Sequence, residues 1–106
     1  WQRACVAGDP RGTAAYVANF GGNTVSQYSI GADGGLTPMA TPTVATGTNP
    51  DTITIDPSGQ YAYVANQGGL VSQYSIGADG SLSPLTTPNV PAGAGPAGVA
   101  TTGTWQ

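Results

Sequence analysis

The 106-residue chain contains no histidine, no lysine and no glutamate, and only 7% of its residues are charged. Each absence closes a class of chemistry. Without histidine no Ser-His relay can be assembled, and no GxSxG motif occurs, so a Ser-His-type hydrolase is excluded. The bases are five aspartates and the cations only Arg3 and Arg11, giving a net charge of −3. No basic stripe exists to neutralise phosphates, which argues against a nucleic-acid partner and equally against docking on an acidic membrane. One aspartate per loop is a weak calcium signal, so no metal and no cofactor is expected. Cys5 is the single cysteine, which excludes an intrachain disulfide. Its plain reading is a small half-buried residue near one end, with a reactive thiol or interchain bridge as the alternative. No apolar run approaches the roughly 18 residues of a membrane span. The sequence opens without Met or a signal peptide, so it is expected to be processed or excised from something longer. Low charge with abundant Thr, Ser, Gly and Asn leans toward an exported or cell-surface bacterial protein.

What the chain has instead is glycine (17), proline (9) and short clusters of Val, Ile and Tyr within a 39% hydrophobic composition. It also repeats itself. QYSIGADG stands at 27–34 and again at 73–80, and Tyr16-Val17-Ala18-Asn19 returns as Tyr63-Val64-Ala65-Asn66. Val25–Val44 aligns with Val71–Val90 with fifteen of twenty positions identical. The offset is 47 before this stretch and 46 within it, because FGGNTV in the first copy is QGGLV in the second.

Four strand-like runs follow one another in each copy. ACVAG (4–8) and TITID (52–56) are short and apolar, closed by Asp-Pro and a nearby Gly that suit a turn. AAYVAN (14–19) and YAYVAN (61–66) alternate: Tyr61, Tyr63 and Ala65 point one way, Ala62, Val64 and Asn66 the other. A Gly-Gly turn leads to TVSQYSI (24–30) and LVSQYSI (70–76), and GADG then signals a hairpin. The fourth run, LTPMATPTV or LSPLTTPNV, carries two prolines and belongs at a sheet edge, since Pro cannot donate to a ladder. No helical period appears. A four-stranded antiparallel meander recurring every 40–50 residues is the signature of a β-propeller blade, so the expected class is all-β.

On DPSGQYAYVAN followed by VSQYSIGADGSLSPL, the chain resembles the YVTN-repeat and lactonase-like (6-phosphogluconolactonase-like) β-propellers, from about Val6 to about Val99. That resemblance implies blades of a ring of around seven. Blade one is expected over about 4–48 and blade two over about 49–95. PAGVATTG at 96–103 aligns with TITIDPSG, so a surplus inner strand is expected there. Two blades cannot close a ring and would leave inter-blade faces rich in Tyr, Val and Ile uncovered. The expected partners are further copies of the chain, a trimer of six blades being favoured over a tetramer of eight; the alternative is that the chain is a piece of a larger propeller. In a ring of copies, one of the competing terminal inner strands would be displaced or exchanged.

The resemblance also implies lactone hydrolysis, which needs a base and a stabilised oxyanion. The His, Glu and Arg that such enzymes place around the channel have no counterpart here, so no catalytic residue is carried over. The reading favoured by the residues alone is a non-catalytic assembly or binding module that closes into a ring, with carbohydrate as a candidate ligand. A lactonase-type hydrolase is the alternative. Asp9, Asp33, Asp56 and Asp79 read as turn caps. Asp51 has no aspartate counterpart, and with Asn49 and Thr52 it forms a candidate polar lip leading into an inner strand. Trp1 and Trp105 are candidate aromatic platforms where chain ends meet, or else seam packing. Tyr16, Tyr28, Tyr63 and Tyr74 read as core or inter-blade packing.

Overall fold

A computed structural model describes residues 4–8 and 12–92. Trp1, Arg3, Asp9, Arg11, Trp105, the expected inner strand at 96–103 and the side chain of Cys5 lie outside the described residues.

Among the described residues, eight strands form two antiparallel sheets of four, each in simple sequential order. The first comprises β1 (Ala4–Gly8), β2 (Ala14–Asn19), β3 (Thr24–Ile30) and β4 (Leu36–Ala45). The second comprises β5 (Pro50–Ile55), β6 (Tyr61–Asn66), β7 (Leu70–Ile76) and β8 (Leu82–Pro91). The turns form where the breakers stand. Gly34 and Gly80 take positive φ (85° and 88°) in the two GADG hairpins. In each hairpin the aspartate accepts a backbone N–H two residues on: Gly35 to Asp33 at 2.9 Å, Ser81 to Asp79 at 3.0 Å. In the DPSG turn the Gly59 N–H donates to the Asp56 carbonyl at 2.8 Å, and the Ser58 hydroxyl donates to the Asp56 carboxylate.

The proline-bearing strands β4 and β8 are edges, and neither runs straight. Ser26 pairs with Thr43 but Tyr28 pairs with Pro38, so residues 39–42 bow out opposite Gln27. The repeat does the same opposite Gln73, between Pro84 and Asn89. Each glutamine spans its own gap: Gln27 Nε2 donates to the Thr41 carbonyl and Gln73 Nε2 to the Thr87 carbonyl, both at 2.7 Å. A backbone acceptor stranded by the bulge is thereby satisfied.

The core lies between the two sheets. Ala14, Tyr16 and Val25 of the first face Ile53, Ala62, Val64, Tyr74 and Leu82 of the second, with Met39, Val44, Ile55 and Ile76 at the margin. Fully burying a side chain such as Val64 or Leu82 contributes about 1.5–3 kcal/mol. Polar contacts fix the register of this joint. The Tyr16 hydroxyl donates to the Gly80 carbonyl, and the Leu82 N–H donates to Gln27 Oε1 at 2.6 Å. From the other side, the Tyr74 hydroxyl donates to the Ala45 carbonyl at 2.6 Å, and the Gly47 N–H donates to Ser72 Oγ at 3.2 Å.

Candidate functional site

The candidate lip is built on the short link between the sheets. Asn49 adopts a left-handed conformation (φ 56°), which Asn tolerates better than other side-chain-bearing residues. That conformation is held from both sides. The Asn49 N–H donates to Asn23 Oδ1 at 2.9 Å, and its carbonyl accepts the Gln67 N–H at 2.9 Å. The Thr48 carbonyl accepts the Gly68 N–H at 3.1 Å, tying the link to the β6–β7 turn.

Pro50 is fully buried, and the chain then enters β5 through an irregularity. Pro50 pairs with Asn66 and Thr52 with Ala65, which leaves Asp51 as the extra residue of a bulge. Bulges re-aim a side chain at the end of a strand and are over-represented beside functional sites. The half-buried Asp51 carboxylate accepts a long hydrogen bond from Gln67 Nε2 at 3.4 Å. Thr52 follows it, also half-buried. Of the sequence-derived candidates, Asn49, Asp51 and Thr52 therefore stand together at one end of the second sheet's innermost strand. Trp1 and Trp105 fall outside the described residues.

Among the described aspartates Asp51 is the one on an innermost strand. Asp33 and Asp79 sit in outer hairpins, and Asp56 lies at the opposite end of β5. Asp79 is held below the ordinary aspartate range by hydrogen bonds from the backbone and side chain of Ser81. Among the described residues no cluster of His, Cys, Asp or Glu could hold a metal ion.

Two contributors to the lip escape sequence reasoning: Asn23 and Gln67. The signal for Asn23 was present, since it is the one-residue insertion that changes the repeat offset. Beside the lip, Asn66 is fully buried, with Nδ2 donating to Val64 and Leu70 carbonyls and to Ser72 Oγ at 3.2, 3.0 and 2.9 Å. Gly47 packs on its amide so tightly that a Cβ there would come within 3.1 Å.

Two four-stranded meanders, each with a short innermost strand and a proline-bowed edge, packed face to face through Tyr and Val, are consecutive β-propeller blades. The chain belongs to the Lactonase family of 7-bladed β-propellers, whose model matches residues 2–100. Solved structures agree in fold. A protein from Lactobacillus plantarum is 26% identical, with a TM-score of 0.78 over 90% of this chain and 29% of its own. A functionally unknown protein from Desulfotomaculum acetoxidans is 25% identical, with a TM-score of 0.73 over 83% of this chain and 26% of its own. The periplasmic gluconolactonase of Pseudomonas aeruginosa is 21% identical, with a TM-score of 0.76 over 89% of this chain and 27% of its own. The chain thus spans little more than a quarter of the length of these structures. No curated protein sequence matches it.

Proposed function

We propose that the chain forms part of the wall of a lactonase-type propeller that hydrolyses a sugar-acid lactone, with Asp51 as the carboxylate it brings to the channel mouth. The observation that carries this reading is the placement of Asp51. It is the bulged residue of an innermost strand in a chain of the lactonase family, beside Asn49 and Thr52 as hydrogen-bonding groups. Family membership and the gluconolactonase among its structural neighbours support the substrate class. In this chemistry Asp51 takes a proton from water as the oxygen adds to the lactone carbonyl. The ring C–O bond then breaks, and the departing alkoxide is protonated to the hydroxyl of the open acid.

The test is hydrolysis of gluconolactone and 6-phosphogluconolactone above the spontaneous rate, by the wild-type chain and by Asp51→Asn. Loss of a general base lowers kcat by roughly 10²–10⁴-fold. Equal rates in the two proteins, or no rate above background in either, would refute the proposal.

A second reading keeps the same lip of Asn49, Asp51 and Thr52 as a carbohydrate-binding site with no chemistry. The absence of His, Lys and Glu favours it, because aspartate is left as the only carboxylate base and no imidazole or amine side chain stands beside it. Glycan-array binding without hydrolysis would establish this reading over the first.

A further inference from the structure

The joint between the two blades has two halves, and the repeat writes each half a second time at the opposite end of the unit. The half supplied by blade two centres on Ile53, Val64, Tyr74 and Leu82. Their counterparts in blade one are Val6, Val17, Tyr28 and Leu36. Ile53 and Leu82 are each 5% exposed, whereas Val6 is 66% and Leu36 52% exposed. The half supplied by blade one centres on the buried Tyr16, Val25 and Gln27, and its counterparts Tyr63, Val71 and Gln73 are only partly covered. Tyr61, 40% exposed, stands beside them where blade one has Ala14. The exposed large hydrophobic residues among the described ones are Val6, Leu36 and Tyr61, so all of them lie on these two faces.

The polar half-contacts recur too. Tyr16 and Gln27 reach Gly80 and Leu82 of blade two. Tyr63 and Gln73 hold the same places, yet neither the Tyr63 hydroxyl nor Gln73 Oε1 has a partner among the described residues. A Cβ on Gly80 would come within 2.9 Å of Ala14, while around Gly34 there is nothing within 4 Å. The open surroundings of Gly34 are those of a face that no described blade covers, and the further joint differs from the internal one in presenting Tyr61 where the internal joint has Ala14.

We infer that these faces are the two halves of one further joint, and that a second copy of this chain occupies each, docked head to tail. Leu36 and Gly34 of one copy fill the place against Tyr63 and Gln73 of the next that Leu82 and Gly80 fill against Tyr16 and Gln27. A second copy is the occupant because it carries both complementary halves in the same register. Neither set of residues bears a charge, so the two faces do not repel. The contact is heterologous, and it ends only when a ring closes. Three copies give six blades and four give eight, either side of the family's seven. Asp51 and its lip would then recur once per copy around a shared channel.

The test is the mass of the 106-residue chain by sedimentation equilibrium, with circular dichroism to follow folding. A mass of three or four chains is expected. A mass of one or two, or one that grows without limit with concentration, overturns the inference. Leu36→Asp blocks one face and Tyr61→Asp the other; each is expected to give a strand-rich single chain, and Leu36→Gln serves as a milder variant. Unchanged mass in both aspartate variants overturns the contact. Mixing the two variants leaves one intact pair of faces, so a species of two chains is expected, and its absence is equally fatal. No readout involves hydrolysis, so failure here and failure of the lactonase reading are separable.

Discussion

The Tyr16 hydroxyl in the second strand donates to the carbonyl of Gly80, 64 residues later in the outer hairpin of the next blade. Both partners are buried, and the bond crosses the joint rather than staying within a sheet. Tyr16→Phe keeps the ring and strands the Gly80 acceptor away from water. Leaving a buried group unpaired costs about 1–3 kcal/mol, so the urea midpoint is expected to fall accordingly.

Gly34 and Gly80 share a positive φ, so Ala at either position carries the same backbone strain. Only at Gly80 does the new methyl also meet Ala14 Cβ, at 2.9 Å, with the Met39 methyl at 3.3 Å. Gly80→Ala is therefore expected to cost about 1–3 kcal/mol more than Gly34→Ala from overpacking. Equilibrium unfolding of both, in chains that also carry Leu36→Asp, makes the comparison free of self-association.

Leu82 sits at the centre of the joint and its N–H is fixed by Gln27. Leu82→Ala removes buried methylenes where the surrounding strands cannot collapse, at a cost of about 2–5 kcal/mol. That is a large share of the stability of a domain this size. Thermal melts are expected to show a strongly lowered midpoint.

The Asp79 carboxylate is fully exposed, but Ser81 donates to it from both its N–H and its hydroxyl, at 3.0 and 2.7 Å. These bonds favour the ionised form and lower its pKa. A lowered folded-state pKa gives stability that is present above the unfolded value and is lost as pH falls through the folded one. The hairpin is therefore expected to loosen only in acid below the ordinary aspartate range. Ser81→Gly, which reproduces Gly35 of the first copy, is expected to move the Asp79 titration up toward that range. Carboxyl chemical shifts followed against pH would report it.

All eight described strands lie within a residue or two of the runs legible in the sequence, because alternation, Gly-Gly, Asp-Gly and Asp-Pro punctuate them. The bowed edge strands were not legible. A seven-residue β3 against a ten-residue β4 implies excess length, but where the excess bows out depends on Gln27 reaching Thr41, a contact that strand alternation does not encode. The arrangement of the candidate lip was half legible. Asp51 stood out as the aspartate without a counterpart, whereas its partner Gln67 lies in a turn whose first-copy residue is Phe20, so the repeat gave no hint of it. Burial separated the tyrosines in a way their identical contexts could not. Tyr16 and Tyr74 are interior because a blade lies against them, while Tyr28 and Tyr63 face outward from the pair.

The link from Thr46 to Asn49 is the covalent element of the internal joint that two separate chains lack. Much of the remaining contact comes from residues that recur in the repeat, Tyr16 and Gln27 as Tyr63 and Gln73 and Gly80 as Gly34, with Tyr61 in place of Ala14 as a difference. If the inferred head-to-tail contact forms, blade number per polypeptide becomes a matter of gene length rather than of surface chemistry. Fusing copies in tandem would exchange rotational symmetry for covalent tethering, raising the local concentration of matching faces to about the millimolar range without altering one contacting side chain.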